Sequence, residues 1–342
     1  RPGYQDVSAV LMRNGNVIAA IEEERLNRVK HAAGQLPILS VKEVLRIGGI
    51  DIKDIAVVAF HGISWQQSIE DVLRSHFENY FGYCPAIKRY HHHDCHAASA
   101  YYPSGFQEAL VITVDGSGDG ISTQIAIGKN GKLEVQHRYE RPQSLGMFYS
   151  MITQLCGFTR DADEYKLMGL AAYGDASKCD LSDVLQVHEN GYRFNEEYMV
   201  KILPGQSSPS RHEMLYSDLL LKQTGVSRRT GKDMDDAYKH LAASAQQQLQ
   251  QALVALVKKY VTETGIRNVC MAGGVALNCL ANQKIEALAE VEQLFIQPAS
   301  SDAGISLGAA YLASVEEGVT AFEKQTHTFY GTEVQVARVF VD

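Results

Sequence analysis

The apolar run Ala109-Leu110-Val111-Ile112-Thr113-Val114 reads as a strand that leads straight into Asp115-Gly116-Ser117-Gly118-Asp119-Gly120, and this junction constrains the chain more than any other stretch. A carboxylate delivered by a strand end into a glycine loop occupies a typical ligand or phosphate position. Two more strand-like runs, 124–128 and 133–137, flank Asn130-Gly131. The same succession stands at the start of the chain, where 6–12 alternates as a strand, Asn14-Gly15 turns it, and 16–21 brings it back. Asn-Gly between apolar runs is the strongest short hairpin signal. A strand, a tight turn and a hairpin occurring twice point to two similar lobes.

Between these runs the pattern alternates strands with helices. Helical periodicity covers 39–47 and 68–80, with strands at 55–60 and 87–90. A helix over 144–156 and a long one over 233–264 follow, the latter burying Leu249, Leu253 and Leu256 and exposing Gln247, Gln248, Gln250 and Gln251. Strands at 268–271 and 291–296 complete an α/β pattern. Residues 175–230, including the Pro- and Ser-rich 204–210, read as a polar insertion. With 342 residues and 45% hydrophobic content, the chain can bury a substantial core in two lobes. The balance of 32 basic and 40 acidic residues, with no Lys/Arg-rich block, makes nucleic acid a poor partner. Six scattered cysteines without C-x-x-C spacing predict reduced thiols and a cytoplasmic protein. No apolar run approaches the roughly 18–20 residues of a membrane-spanning helix. The opening Arg1-Pro2-Gly3-Tyr4 lacks a starting methionine, so a fragment of a longer protein is expected.

The residue types that carry chemistry are concentrated in a few places. Tyr90-His91-His92-His93-Asp94-Cys95-His96 holds four histidines in six positions. On a helix His92 and His96, four apart, share one face and can grip one ion, although a solvated histidine run has the same composition. Lys166 precedes the small-residue helix ending at Gly174; it reads either as a phosphate contact or as part of a helix pair that needs Gly169 for close approach. Gly273-Gly274, between a strand and a helix, reads either as an anion cradle or as close packing. Asp302 reads as a helix cap or a metal ligand. The charge run Glu22-Glu23-Glu24-Arg25-Leu26-Asn27-Arg28-Val29-Lys30-His31 is read, on composition, as a solvated helix start or loop.

Six motifs stand in order: E-E-E-R-x-x-R-x-K-H at 22–31, H-x-x-x-H at 92–96, V-D-G-x-G at 114–118, K-L-M-G-L-A-A-Y-G at 166–174, G-G-V-A-L-N at 273–278 and S-D-A-G-x-S-L-G at 301–308. Over nearly the whole chain this resembles the O-carbamoyltransferase family of antibiotic and nodulation-factor biosynthesis. The resemblance implies a two-lobed ATPase fold of the actin, Hsp70 and sugar-kinase class with duplicated mixed-sheet lobes. Its boundaries would be a first lobe at 1–107, the start of a second with the nucleotide loop at 108–174, the polar insertion at 175–230, the rest of the second lobe at 231–324, and at 325–342 a linker to a domain that makes carbamoyl adenylate from carbamoyl phosphate and ATP.

The resemblance also implies roles. His92, His96, Asp115 and Asp302 would bind one divalent metal, iron by the family's pattern. Asp115, Gly116, Ser117, Gly118, Asp119, Lys166, Gly169, Gly273, Gly274 and Asn278 would surround ATP-derived carbamoyl adenylate. Asp6, Lys30 and His31 would sit near a small-molecule hydroxyl acceptor, with a homodimer among the assemblies open to the chain. Gln5 departs from the family, which often has histidine there; a glutamine cannot serve as a base near neutral pH, which leaves His31, the metal assembly, or a different acceptor. A tRNA threonylcarbamoyl transferase shares the implied fold and the histidine pair, and an idle nucleotide-binding module is the rival from outside enzymology. The acidic balance and the Asp115 loop disfavour the first.

Overall fold

The computed structural model describes residues 6–64, 68–201, 213–231 and 233–333; Gln5, the stretch 204–210 and the end of the expected linker lie outside them. The chain gathers into two compact units, one from the residues up to Gly105 together with those from Asp302 onward, the other from Phe106–Ser301.

In the first unit β1 (Ser8–Arg13) and β2 (Asn16–Glu22) form an antiparallel pair. Asn14 and Gly15 turn it at φ of 50° and 82°, the conformation for which the dipeptide is suited. The short α1 (Glu23–Asn27) leads to α2 (Leu39–Gly48). Glu23 overturns the solvated reading of the charge run: it is only 2% exposed. Its carboxylate accepts from Leu39 N (3.0 Å), Ser40 N (2.7 Å) and Ser40 Oγ (2.6 Å). The unpaired amides that open α2 give the buried anion what water would have given it, and the positive end of the helix favours its charge. β3 (Val57–His61), α3 (Ser68–Phe81) and β4 (Ala86–Tyr90) follow, with β3 and β4 parallel, and β4 feeds α4 (His92–Tyr101).

The second unit is built on one mixed five-stranded sheet. β5 (Glu108–Gly118), β6 (Ile121–Lys129) and β7 (Lys132–Glu140) are antiparallel. The chain continues through α5 (Leu145–Leu155), α6 (Glu164–Ala171), the hairpin β8 (Leu185–His188) and β9 (Gly191–Phe194), α7 (Asp218–Thr224) and α8 (Asp236–Thr264). β10 (Asn268–Ala272), α9 (Cys279–Glu286) and β11 (Gln293–Ile296) complete the order β11-β10-β5-β6-β7, with β5, β10 and β11 parallel. The fold is thus mixed α/β, as the alternation of strand and helix patterns requires. Both units carry an antiparallel hairpin and a parallel pair, and among the described residues only the second joins them into one sheet. Leu110, Ile112 and Val114 of β5 pack with Phe148 and Ile152 of α5 and with Leu249, Leu253 and Leu256 of α8 in one core.

Two expectations change. The polar segment 175–230 is not an appendage: Leu181, Val184, Leu185, Phe194, Leu215 and Leu220 are fully buried in the same core. Its few apolar residues sit where the chain turns inward, and averaging over polar neighbours conceals them. The last helix, α10 (Ile305–Glu316), together with Asp302, belongs to the first unit instead of continuing the second. It lies backbone against backbone on α4, where a Cβ at Gly308 would fall 1.7 Å from Cys95 O, so only glycine fits. Ser8 Oγ donates to Ala303 O (2.8 Å), pinning the start of the helix to β1.

Two stability predictions follow from this packing. Gly308→Val should destabilise the protein by at least the about 1–3 kcal/mol typical of overpacking, read from urea unfolding, and an unchanged midpoint would refute the helix contact. His76, buried on α3 beside Tyr80 at 5.0 Å between centroids, has its pKa pushed below the ordinary histidine value by burial. The unfolded chain therefore binds its proton more readily, and stability should fall as pH drops through the ordinary histidine range, from about pH 7 downward. In His76→Phe that slope should flatten; equal urea-midpoint slopes against pH in the two proteins would contradict the assignment.

Candidate functional site

β4 ends at Tyr90, and His91 caps the following helix, its Nδ1 accepting from His93 N at 3.2 Å. The helix therefore starts at His92, which sets His92 and His96 one turn apart on one face. Both are buried, with ring centroids 4.7 Å apart. The turn before α10 brings Asp302 to them. Its Oδ1 lies 3.7 Å from His92 Nε2 and 3.6 Å from His96 Nε2. Metal–ligand bonds of 2.0–2.2 Å in tetrahedral geometry would set ligand atoms about 3.3–3.6 Å apart, and the Asp302 oxygen stands close to that spacing from each imidazole. Two imidazoles and a carboxylate suit a borderline divalent metal. His61, at the end of β3, sets its ring edge-on to His92 at 5.6 Å, a neighbour that the sequence pattern did not reveal.

Asp115 belongs to the second unit. What reads as a loop in the sequence is a strand: β5 runs on to Gly118, with an irregularity between Val114 and Gly118, and turns only at Asp119-Gly120, whose φ values are 51° and 84°. Asp115 Oδ1 accepts from Gly274 N at 3.0 Å. Ser144 Oγ donates to Gly116 O at 2.7 Å while capping α5. The backbone here is crowded. A Cβ at Gly273, whose φ is +95°, would fall 2.2 Å from Val114 O, and one at Gly146 2.7 Å from Asp115 O. Gly273-Gly274 is thus accounted for by close packing, and the Gly274 amide is already given to Asp115. The helix expected directly after the glycines begins only at Cys279, after a tight 3₁₀ turn over Gly274–Leu277. Asn278 caps it, accepting from Ala281 N at 3.0 Å, and exchanges two 2.9 Å amide hydrogen bonds with buried Gln246.

On α6, Lys166 is exposed and ion-paired with Asp163 at 2.8 Å, an i,i+3 partner visible in the sequence but not singled out there. A Cβ at Gly169 would meet nothing within 4 Å, so the helix-pair reading fails at that residue. The close approach is instead at Gly174, where a Cβ would fall 1.9 Å from Lys239 O. Gly116, like Gly169, borders open space.

In the first unit the structure joins Asp6 and His31, with His31 Nδ1 2.5 Å from Asp6 Oδ1. His31 sits at φ +63°, its N–H donates to Glu24 Oε2 at 2.6 Å, and its Nε2 is buried without a hydrogen-bond partner in the protein. The side chain of Lys30 faces solvent. Glu24 is the residue missed here; within a dense charge run nothing marks which carboxylate turns inward.

The family model described as Carbamoyltransferase N-terminus matches residues 80–311. The nodulation protein NolNO of Sinorhizobium fredii is 34% identical over 95% of this chain and 48% of its own length. An uncharacterized protein of Synechocystis, sll1178, is 31% identical over 90% of this chain and 55% of its own. The chain therefore spans about half the length of these relatives. Among solved structures, HypF of T. kodakarensis aligns over 93% of this chain and 49% of its own at 16% identity, with a TM-score of 0.46. With 80–311 matched, a span that contains the paired histidines, the Asp115 strand and Asp302, the chain belongs to the carbamoyltransferase family.

Proposed function

We propose that this chain transfers a carbamoyl group from carbamoyl adenylate to a hydroxyl of a small-molecule acceptor, a natural product or sugar, using a divalent metal. What supports this most is that the Nε2 atoms of His92 and His96 both lie within 3.7 Å of one Asp302 oxygen, inside the span matched by the carbamoyltransferase model. In this reading Asp115 is the fourth ligand. Iron is the ion that the family resemblance suggests. Such an ion would polarise the carbamoyl carbonyl as a Lewis acid.

The chain's own residues would do the rest. Asp115, Gly116, Ser117, Gly118 and Asp119 would line the nucleotide, with the open space beside Gly116 and Gly169 left for it. Lys166 would exchange Asp163 for the phosphate oxygens, a charge-assisted contact. Glycines 273 and 274 and Asn278 would act at one remove, keeping the backbone around Asp115 in place. The acceptor oxygen attacks the carbamoyl carbon while the bond from that carbon to the phosphate oxygen breaks, and AMP leaves with the electron pair. The acceptor's proton passes to His31 Nε2, since Nδ1 faces Asp6, whose carboxylate orients the ring and stabilises the imidazolium. Lys30 would contribute charge at the mouth of this site.

Three measurements test these assignments. His96→Ala should abolish stoichiometric metal in elemental analysis while the protein stays folded by circular dichroism; full retention of the ion would overturn the ligand set. Lys166→Ala should weaken nucleotide binding by about tenfold in calorimetric titration and leave metal content unchanged. His31→Gln should slow AMP release from carbamoyl adenylate, in the presence of amino-sugar and polyol acceptors, by about a hundredfold or more with both ligands still bound. Wild-type rates in that variant would remove His31 as the base.

A further inference from the structure

His31 does not rest in its conformation without help. Its φ of +63° and ψ of −7° place a residue with a Cβ in the left-handed region, inside the short 3₁₀ turn Lys30–Ala32. Such backbone persists where the surroundings over-determine it. Two carboxylates do so here. Asp6 takes the ring at Nδ1 (2.5 Å), and Glu24 takes the backbone amide at 2.6 Å. Glu24 is itself fixed: its backbone carbonyl accepts Arg28 N at 2.9 Å, closing α1 with Arg28 at φ 62°. The five-residue helix α1 therefore returns the chain so that residue 24 reaches residue 31. With Asp6 accepting from Nδ1, the neutral ring carries its proton there and leaves Nε2 as an acceptor, and that atom is buried without a partner in the protein.

We propose that Glu24 is a positioning residue: its carboxylate locks the left-handed backbone of His31 so that Nε2 is presented, as a proton acceptor, to an acceptor hydroxyl. This deepens the proposed function and rests on its use of His31. Glu24 touches no reacting atom. It acts by holding one amide, and the chemistry it requires of the substrate is a hydroxyl hydrogen directed at one ring nitrogen.

The first arm of the test needs no acceptor. Long-range proton–nitrogen spectra of ring-labelled histidine, recorded on the whole chain well above the ordinary histidine titration range, report the tautomer of each ring. His31→Gln assigns the signal by its loss. The wild type should show residue 31 with a proton on Nδ1 alone. Glu24→Ala should lose that single form and give the exchanging mixture of a free imidazole, at an unchanged metal content and with the signals of His92 and His96 in place. Glu24→Gln, whose side-chain carbonyl can still accept the amide, should restore the single form. In activity measurements Glu24→Ala should lower kcat for carbamoyl adenylate at least tenfold with little change in KM. A wild-type tautomer in Glu24→Ala would overturn the positioning role even if His31→Gln confirmed the base. Full activity in His31→Gln would instead refute the proposed function beneath it, whatever the spectra show.

Discussion

The packing of α10 on α4 is the contact from which the histidine cluster follows. Two helix backbones approach this closely only where one presents no side chain, and Gly308 against Cys95 O is that place. The approach sets the turn at Asp302 over the face that carries His92 and His96, residues some 200 positions earlier in the chain. Interiors this tightly packed do not deform continuously, so the spacing of the three donors inherits the rigidity of the helix pair. A site built on helix faces holds its geometry more closely than one built on a free loop.

A second regularity is how the chain keeps carboxylates away from water. Glu23 is held by the first amides of α2, Glu24 by the amide of His31, and Asp115 by the amide of Gly274. Each buried or half-buried anion is given backbone N–H groups in place of solvent, which makes burial of charge tolerable. The donors come from a helix start, a left-handed residue and a glycine pair. All three are places where the backbone has an amide not used by a ladder or a helical turn.

Legibility followed physical locality. The Asn14-Gly15 and Asn130-Gly131 hairpins, the long α8 with Leu249, Leu253 and Leu256 inward, and the shared face of His92 and His96 were readable, because turn chemistry and helical periodicity are written within a few residues. The duty of Glu23 was not, since its partners at 39 and 40 lie far along the chain and a carboxylate in a charge run looks the same whether solvated or capped. Gly169 and Gly174 are equivalent in composition; only the backbone of Lys239, brought up by α8, tells which of them needs to lack a side chain. The Asp115 segment looked like a loop because glycine is scarce in strands, yet a bulged strand end tolerates it. Of the residues that the resemblance assigned to the nucleotide, Gly273, Gly274 and Asn278 spend their backbone or side chains on the fold itself.

Strain is distributed in a way that supports placing chemistry at His31. Among the described residues, the non-glycine positions with positive φ include Asn14, Asp119 and Asn130, all at tight turns where Asn and Asp are tolerated. Arg28 takes that conformation as the cap that closes α1, whereas Asp6 and His31 share it while their side chains are joined to each other. A glycine at 31 would relieve that residue's backbone, which costs on the order of 1–3 kcal/mol for an L-residue held in this region. It would also remove the ring. Keeping a histidine where glycine is favoured, and bracing it with a carboxylate at each end, makes sense if the imidazole is worth more than the stability it gives up, and a proton acceptor beside a substrate is such a use.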